Sequence, residues 1–321
     1  MRVLITGATG FVGTHLASYL MQNQDVEVFG ASRDDNPALA TLVPGMKNVI
    51  GDLCDEAFVR EVLETSRPDV VYHLAGQASV AAAWKNPWET LEQNVLPQFN
   101  LFQSIIDLKL DPCFVTITSA KVYGHATADM MPLTEAVPLN PENPYDLSKV
   151  TEDLMAQQYF FSHKLKVIRA RPFNHIGPRQ SPFFVTAAFA RQIARIEAGL
   201  QEPVMKVGNL SPARDFSDVR DVVRAYALLA EKGQPGQAYN IGSGHAVPVQ
   251  TVLNNLLSLS SAEIEIQTDP DLFRPVELPL SYGSIAKIRE EIGWQPEIPL
   301  RQSLQDILAY WREDTRQKMD A

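Results

Sequence analysis

The chain has 321 residues, about twice the ~150 typical of one domain, and 45% of them are apolar, enough to build a sizeable buried core. Lys and Arg total 28 against 38 Asp and Glu, a formal net charge of −10, which excludes the basic footprint of a general nucleic-acid binder. Cys54 and Cys113 both lie in apolar-rich stretches, which excludes a disulfide framework or a cysteine metal site. With no basic leader and no apolar span near ~20 residues, the expectation is a protein of the reducing cytoplasm, neither exported nor membrane-spanning.

In chain order, short β-branched runs predict strands at Arg2–Thr6, Val26–Ala31, Asn48–Ile50, Val70–His73, Phe114–Thr118 and Val167–Arg171. Between them, apolar residues at three- and four-residue spacing predict helices at Phe11–Met21, Glu56–Thr65, Trp88–Leu108 and Pro144–His163. This alternation specifies the α/β class, as a Rossmann doubly wound parallel sheet covered on both faces. Past Gly177 the regularity fades, with frequent Pro and Gly, helices at Thr186–Ala198 and Ser217–Lys232, and isolated strands. The expected organisation is an NAD(P)-binding domain over 1–176 and a smaller, irregular α/β substrate-binding domain over 177–321. The two interleave, because Ala238–Ile241, within about 236–244, has the character of a buried strand of the first sheet.

Directly after the first strand comes Thr6-Gly7-Ala8-Thr9-Gly10-Phe11-Val12-Gly13, opening an amphipathic helix. Glycines at Gly7, Gly10 and Gly13 let the backbone turn tightly and approach a pyrophosphate, whose charge the helix N-terminus receives; Phe11 and Val12 supply its first N–H groups. At the end of the second strand an NAD site places Asp or Glu against the ribose 2′-hydroxyl, whereas here the corresponding residue is Gly30, followed by Ser32 and Arg33. Arg33 suits a 2′-phosphate, so NADP(H) is favoured, with NAD(H) left open because Asp34 adjoins it. Asp52 and Leu53, after the third strand, are placed to hold the adenine edge.

Asn143-Pro144 is a helix start that sets Tyr145 and Lys149 four residues apart on one face. A phenol titrates near ~10 alone, and the Lys149 ammonium supplies the positive charge that proton exchange at neutral pH requires. Ser119, at the carboxyl end of the fifth strand, can hydrogen-bond a substrate carbonyl or alcohol.

Taken together, Thr6 to Gly13, Asp52-Leu53, His73-Leu74-Ala75, Asn94, Ser119 to Gly124, Tyr145 to Lys149 and Arg171 to Pro178 resemble the extended short-chain dehydrogenase/reductase family, in its nucleotide-sugar branch. The resemblance implies a catalytic set of Ser119, Tyr145 and Lys149 supported by Asn94, with Tyr145 and Lys149 beside the nicotinamide ribose and Leu74 and Ala75 along the cofactor. His73 is read as a packed strand-end residue. In family dehydratases an acidic residue follows the catalytic Ser or Thr within two positions; here those positions are Ala120 and Lys121, which disfavours dehydration. Arg171 to Pro178, Val207 to Leu210, Arg214 to Phe216 and Arg274 to Glu277 are similar to segments of GDP-4-keto-6-deoxy-D-mannose reductases and, less closely, GDP-mannose 4,6-dehydratases. That similarity implies substrate contacts from Asn174, Arg214 and Arg274, guanine recognition by Glu277, and further contacts from Lys121, Arg191 and Asn209. The expected reaction is NAD(P)H-dependent reduction of the C4 ketone of a GDP-linked keto sugar. A dehydratase, a UDP-hexose 4-epimerase and a non-catalytic cofactor-binding regulator stand as alternatives. The apolar content of the Trp88 and Tyr145 helices suits a homodimer or homotetramer.

Overall fold

The structure, a computed structural model, describes residues 1–23, 25–273 and 278–320. Strands β1 (Arg2–Thr6), β2 (Glu27–Ser32), β3 (Lys47–Ile50), β4 (Val70–His73), β5 (Cys113–Ile117), β6 (Lys166–Pro172) and β7 (Ala238–Ile241) form one sheet. Their order is β7-β6-β5-β4-β1-β2-β3, and every pair is parallel. Chain direction across the sheet reverses between β1 and β4, the switch point at which open α/β sheets leave a crevice at the strands' carboxyl ends.

The two-residue period of a strand divides the core. Val3, Ile5, Val28, Tyr72, Val115 and Ile168 pack under helices α1 (Phe11–Asn23), α6 (Val219–Lys232) and α8 (Ala286–Ile292), with Leu16, Leu20, Val222, Leu229 and Ile288 facing them. Leu4, Phe29, Val71, Phe114 and Val167 face the other way, onto α2 (Glu56–Ser66), α3 (Pro87–Asp107) and α4 (Pro144–His163). A separate core forms where α5 (Val185–Glu197), α7 (Val249–Leu257) and α9 (Leu300–Asp320) enclose Phe189, Ile193, Leu253 and Leu308 against Met205 and Val207. The second half of the chain therefore supplies both cores: α6, β7 and α8 belong to the sheet, while α5, α7 and α9 do not.

The structure revises two local expectations. The helix expected from Ser217 begins at Val219, because Phe216–Asp218 pairs as a parallel strand with Asn174–Ile176 and Asp218 caps the helix, accepting from the Arg220 N–H at 2.8 Å. Gly30 is inside β2, in register with Ile5 and Asn48, so the strand's carboxyl end is Ser32. A Cβ on Gly30 would lie 2.4 Å from Asn48 Oδ1 and 2.8 Å from the Ala8 Cβ; close packing against the first turn accounts for this glycine.

One buried ionic cluster ties α4 to the sheet. Asp153, fully buried, accepts from Arg169 Nη1, Arg171 Nε and Arg171 Nη2, each at 2.8 Å. Arg171 also donates to the Tyr123 hydroxyl at 3.2 Å and Arg169 to the Gly236 carbonyl at 2.9 Å. Removing the shared carboxylate leaves two buried guanidinium groups without their counter-charge. Asp153→Ala is expected to lose about 3–5 kcal/mol of stability in denaturant unfolding, and a loss below about 1 kcal/mol would contradict this reading.

Candidate active site

The β1–α1 turn and the carboxyl end of β4 meet closely. Gly7 takes φ +69°, donates to the Ala31 carbonyl at 2.7 Å, and leaves no room for a Cβ, which would lie 2.9 Å from the Ala75 nitrogen. A Cβ on Gly13 would fall 2.3 Å from the Gly7 carbonyl oxygen. Leu74 donates to the Thr6 carbonyl at 3.3 Å, and Ala75 donates to Thr6 Oγ1 at 3.2 Å, fixing both residues beside the turn. Gly10 donates to the Gly7 carbonyl at 3.0 Å, and Phe11, Val12 and Gly13 open α1, where the first N–H groups of a helix have no helical partner and are available to an anion. This crevice fits a dinucleotide: it lies at the switch point, is cut to backbone thickness by glycine, and offers helix N–H groups. At its far side Ser32 accepts from the Thr9 N–H at 3.2 Å. The exposed Arg33 is paired loosely with Asp34 at 3.9 Å. Asp52 accepts from the Cys54 N–H at 2.9 Å, and Leu53 is buried with its carbonyl held by Asn100 at 3.0 Å.

Asn143 caps α4 by accepting from the Asp146 N–H at 2.9 Å, and Pro144 fills the first turn. The helix then buries Tyr145 and Lys149, which lie one turn apart. The Ser119 hydroxyl accepts from the Lys121 N–H at 3.1 Å. Lys149 Nζ lies 3.5 Å from the Ile117 carbonyl and 2.8 Å from the Glu152 carboxylate. Asn94 accepts from the Gln77 N–H at 2.6 Å and donates to Ser148 Oγ at 2.8 Å. It closes the same corner, since a Cβ on Gly76 would lie 2.9 Å from Asn94 Oδ1 and 3.5 Å from Lys149 Nζ.

Burial raises the Tyr145 pKa above its ordinary value. The Lys149 charge and the Ser119 hydroxyl pull it down, while the Glu152 and Asp146 carboxylates push it up. Lys149 thus acts in the direction expected of it, but desolvation outweighs its effect and the phenol holds its proton at neutral pH. Burial opposes the charge on Lys149, yet the Glu152 carboxylate and the nearby Tyr145 leave its pKa raised overall. Burial pushes the Glu152 carboxyl up to about 7, with the Lys149 charge pulling the other way. His73 is lowered to about 3 by burial and the Lys149 charge, which leaves it neutral. Such an arrangement can deliver one proton to an oxygen brought against Ser119 and Tyr145.

The residues expected on the substrate side are placed unevenly. Lys121 follows Ser119 in a short turn and its charge lowers the Asp146 pKa, against the larger effect of burial. Asn174 is exposed at the start of its strand, and Arg214 ends the Ala213–Arg214 strand, in register with Val247. Asn209 accepts from Ser211 N and Oγ at 3.0 and 2.8 Å. Arg191 is set over the Trp311 ring, 5.8 Å from its centroid, in the separate helical core. Arg274 and Glu277 lie outside the described residues. Glu152 was not anticipated, although an acid three residues beyond Lys149 on a face already carrying Tyr145 is a visible signal.

A doubly wound sheet with a glycine turn at its switch point and a Ser-Tyr-Lys set whose Tyr and Lys are buried defines a nucleotide-dependent oxidoreductase of the short-chain dehydrogenase/reductase class. The family model for GDP-mannose 4,6 dehydratase matches residues 4–307, and the chain belongs to that family. It is 36% identical to a GDP-6-deoxy-D-mannose reductase of Pseudomonas aeruginosa, with 99% of each chain covered. The structure is similar to that of RMD from Pseudomonas aeruginosa complexed with NADPH, with TM-score 0.85 and 34% identity over 98% of this chain and 100% of that one. It is also similar to a UDP-glucose 4-epimerase from Thermotoga maritima with UDP-glucose, with TM-score 0.89 and 26% identity over 98% and 100% of the two chains. Since a methyl group on Gly13 would strike the Gly7 carbonyl, Gly13→Ala is expected to weaken dinucleotide binding roughly tenfold or more in a fluorescence titration with a reduced nicotinamide dinucleotide, a loss of at least ~1.4 kcal/mol; unchanged affinity would remove the turn from the cofactor site.

Proposed function

We propose that the protein reduces the C4 ketone of GDP-4-dehydro-6-deoxy-D-mannose to GDP-6-deoxy-D-mannose, using NADPH. Similarity to a reductase of that product along 99% of both chains carries the substrate assignment, and the complete Ser119–Tyr145–Lys149 set supports the chemistry. NADPH bound in the glycine crevice supplies hydride to the carbonyl carbon. As the C–O π pair moves onto oxygen, Tyr145 gives its proton to that oxygen and Ser119 holds it by a hydrogen bond. Lys149 stabilises the phenolate left behind. Arg33, just past the end of β2, is the side chain we assign to the 2′-phosphate, because a guanidinium in that position favours NADPH over NADH.

Consumption of NADPH should require the keto sugar, and GDP-mannose alone should be left unchanged; conversion of GDP-mannose without reductant would establish a dehydratase instead. Tyr145→Phe is expected to lose turnover by about 10²–10⁴-fold while still binding NADPH, because it removes the acid and leaves the crevice intact. A variant that keeps near-native turnover would take the proton-donor role away from Tyr145.

A homodimer completes this reading. Leu147, Leu154 and Phe161 recur every seven residues along α4 and are exposed, as are Trp88 and Phe99 on the neighbouring α3. Trp88 is 74% and Phe161 61% exposed, an apolar stripe too continuous for an isolated helix pair in water. Leu154→Glu combined with Phe161→Glu should convert the assembly to monomers in sedimentation velocity; a wild-type chain that already sediments as a monomer would refute the dimer.

A further inference from the structure

Glu152 is fully buried, points toward the sheet from the same helix as Tyr145 and Lys149, and performs no step in the reduction proposed above. One carboxylate oxygen is 2.8 Å from the Lys149 ammonium and the other 3.9 Å from His73 Nε2. Apart from this ion pair neither oxygen has a hydrogen-bond partner, and His73 Nε2 has none either. On the other side of the imidazole, His73 Nδ1 is 2.8 Å from Thr6 Oγ1, which already accepts from the Ala75 N–H. The Thr6 hydroxyl thus occupies Nδ1 of the ring, and Nε2 is the nitrogen that faces Glu152. The Thr6 side chain in turn braces Ala75 against the glycine turn.

We propose that Glu152 is a positioning residue of this site: it holds the Lys149 ammonium by a dry ion pair and, through it, sets Tyr145 to give up a proton to substrate rather than to take one. The inference rests on the reduction proposed above and extends it. A second negative charge in a water-free corner raises the proton affinity of both the ammonium and the phenol. In ketone reduction the phenol must be protonated at the start, so Glu152 widens the pH range over which the site is competent. Other groups face the pair without replacing it. His73 from β4 is neutral, Asp153 on the same helix is taken up by Arg169 and Arg171, and Asp146 lies nearer Lys121. Among the elements packed nearby, Gln98 donates to the Glu152 backbone carbonyl and is neutral, and the Tyr226 phenol is raised by burial and by Tyr145 and so is neutral too.

The test compares wild type with Glu152→Gln and Glu152→Asp in kcat against pH for NADPH and the keto sugar. Alongside it, Tyr145 is titrated directly by carbon NMR of ring-labelled tyrosine, with Tyr145→Phe identifying the resonance. Glu152→Gln should move the alkaline limb of kcat and the Tyr145 titration down together by about one pH unit, a tenfold fall in proton affinity, and Glu152→Asp should restore most of that shift. A cooperatively folding Glu152→Gln whose limb and phenol titration match wild type would overturn the proposal, as would an Asp variant no better than Gln. The NMR titration needs no substrate. If the wild type fails to turn over the keto sugar, the substrate reading falls, while a lowered Tyr145 titration in Glu152→Gln would still support the clamp.

Discussion

A lysine ammonium removed from water is tolerable only where a negative charge or several acceptors replace its hydration, and the organisation around Lys149 follows from that demand. The Glu152 carboxylate at 2.8 Å, the Ile117 carbonyl at 3.5 Å and the Tyr145 phenol one turn away are what this chain provides. To bring all three together, α4 must lie against the carboxyl ends of β4 and β5, and it is held there from the next position along. Asp153 engages Arg169 and Arg171 of β6 and so fixes the rotation of the helix about its axis. The same rotation presents Leu147, Leu154 and Phe161 on the opposite surface. One helix thus carries Tyr145, the Lys149–Glu152 ion pair and an apolar outer stripe, each at helical spacing.

Next to Arg214 a further buried carboxylate is used differently. Asp215 forms no ion pair among the described residues and is satisfied by donors from two distant segments: Ser243 N and Oγ at 2.6 and 2.7 Å, Gly244 N at 3.1 Å and Gly283 N at 3.4 Å. Burial raises its pKa even so, with those hydrogen bonds pulling down. A Cβ on Gly242 would lie 2.6 Å from Asp215 Oδ2, so the loop after β7 closes onto the carboxylate only through glycine. The segment after the strand bearing Arg214 is thereby tied to the loop after β7, at the edge of the sheet.

Much of this was readable from spacing alone. β1 and β4 run over the residues expected of them, as does α4, because their boundaries are set locally by a glycine turn, by a run of valines, and by Asn143-Pro144. Positions set by long-range packing were not readable. Ser217 and Asp218 read as the start of a helix, but pairing with Asn174–Ile176 draws them into a strand. Gly30 read as the place of the ribose-binding acid, although its lack of a side chain is dictated by Asn48 and Ala8 on neighbouring elements. The expectation that Lys149 acidifies the phenol captured one charge and omitted burial, whose extent depends on how α4 seats on the sheet. Among the expected substrate residues, Arg191 is engaged with Trp311, a partner 120 positions away that periodicity does not reveal.

The proton inventory around Tyr145 bears on the choice between reduction and elimination of water. Removing water from a hexose needs an acid and a base in addition to the tyrosine, both reaching the same sugar. The nearest carboxyl in sequence is Asp146, and one residue along an α-helix turns the side chain by about 100°, away from the face that carries Tyr145 and Lys149. Its Oδ2 accepts from the Glu142 N–H at 3.4 Å, so it also braces the start of the helix. Glu152 is on the correct face but is held by Lys149, and Lys121 brings a positive charge near Asp146 where an acid would be required. Reduction of a ketone asks for one proton at one oxygen, and the Ser119–Tyr145–Lys149 set can meet that demand without recruiting another group.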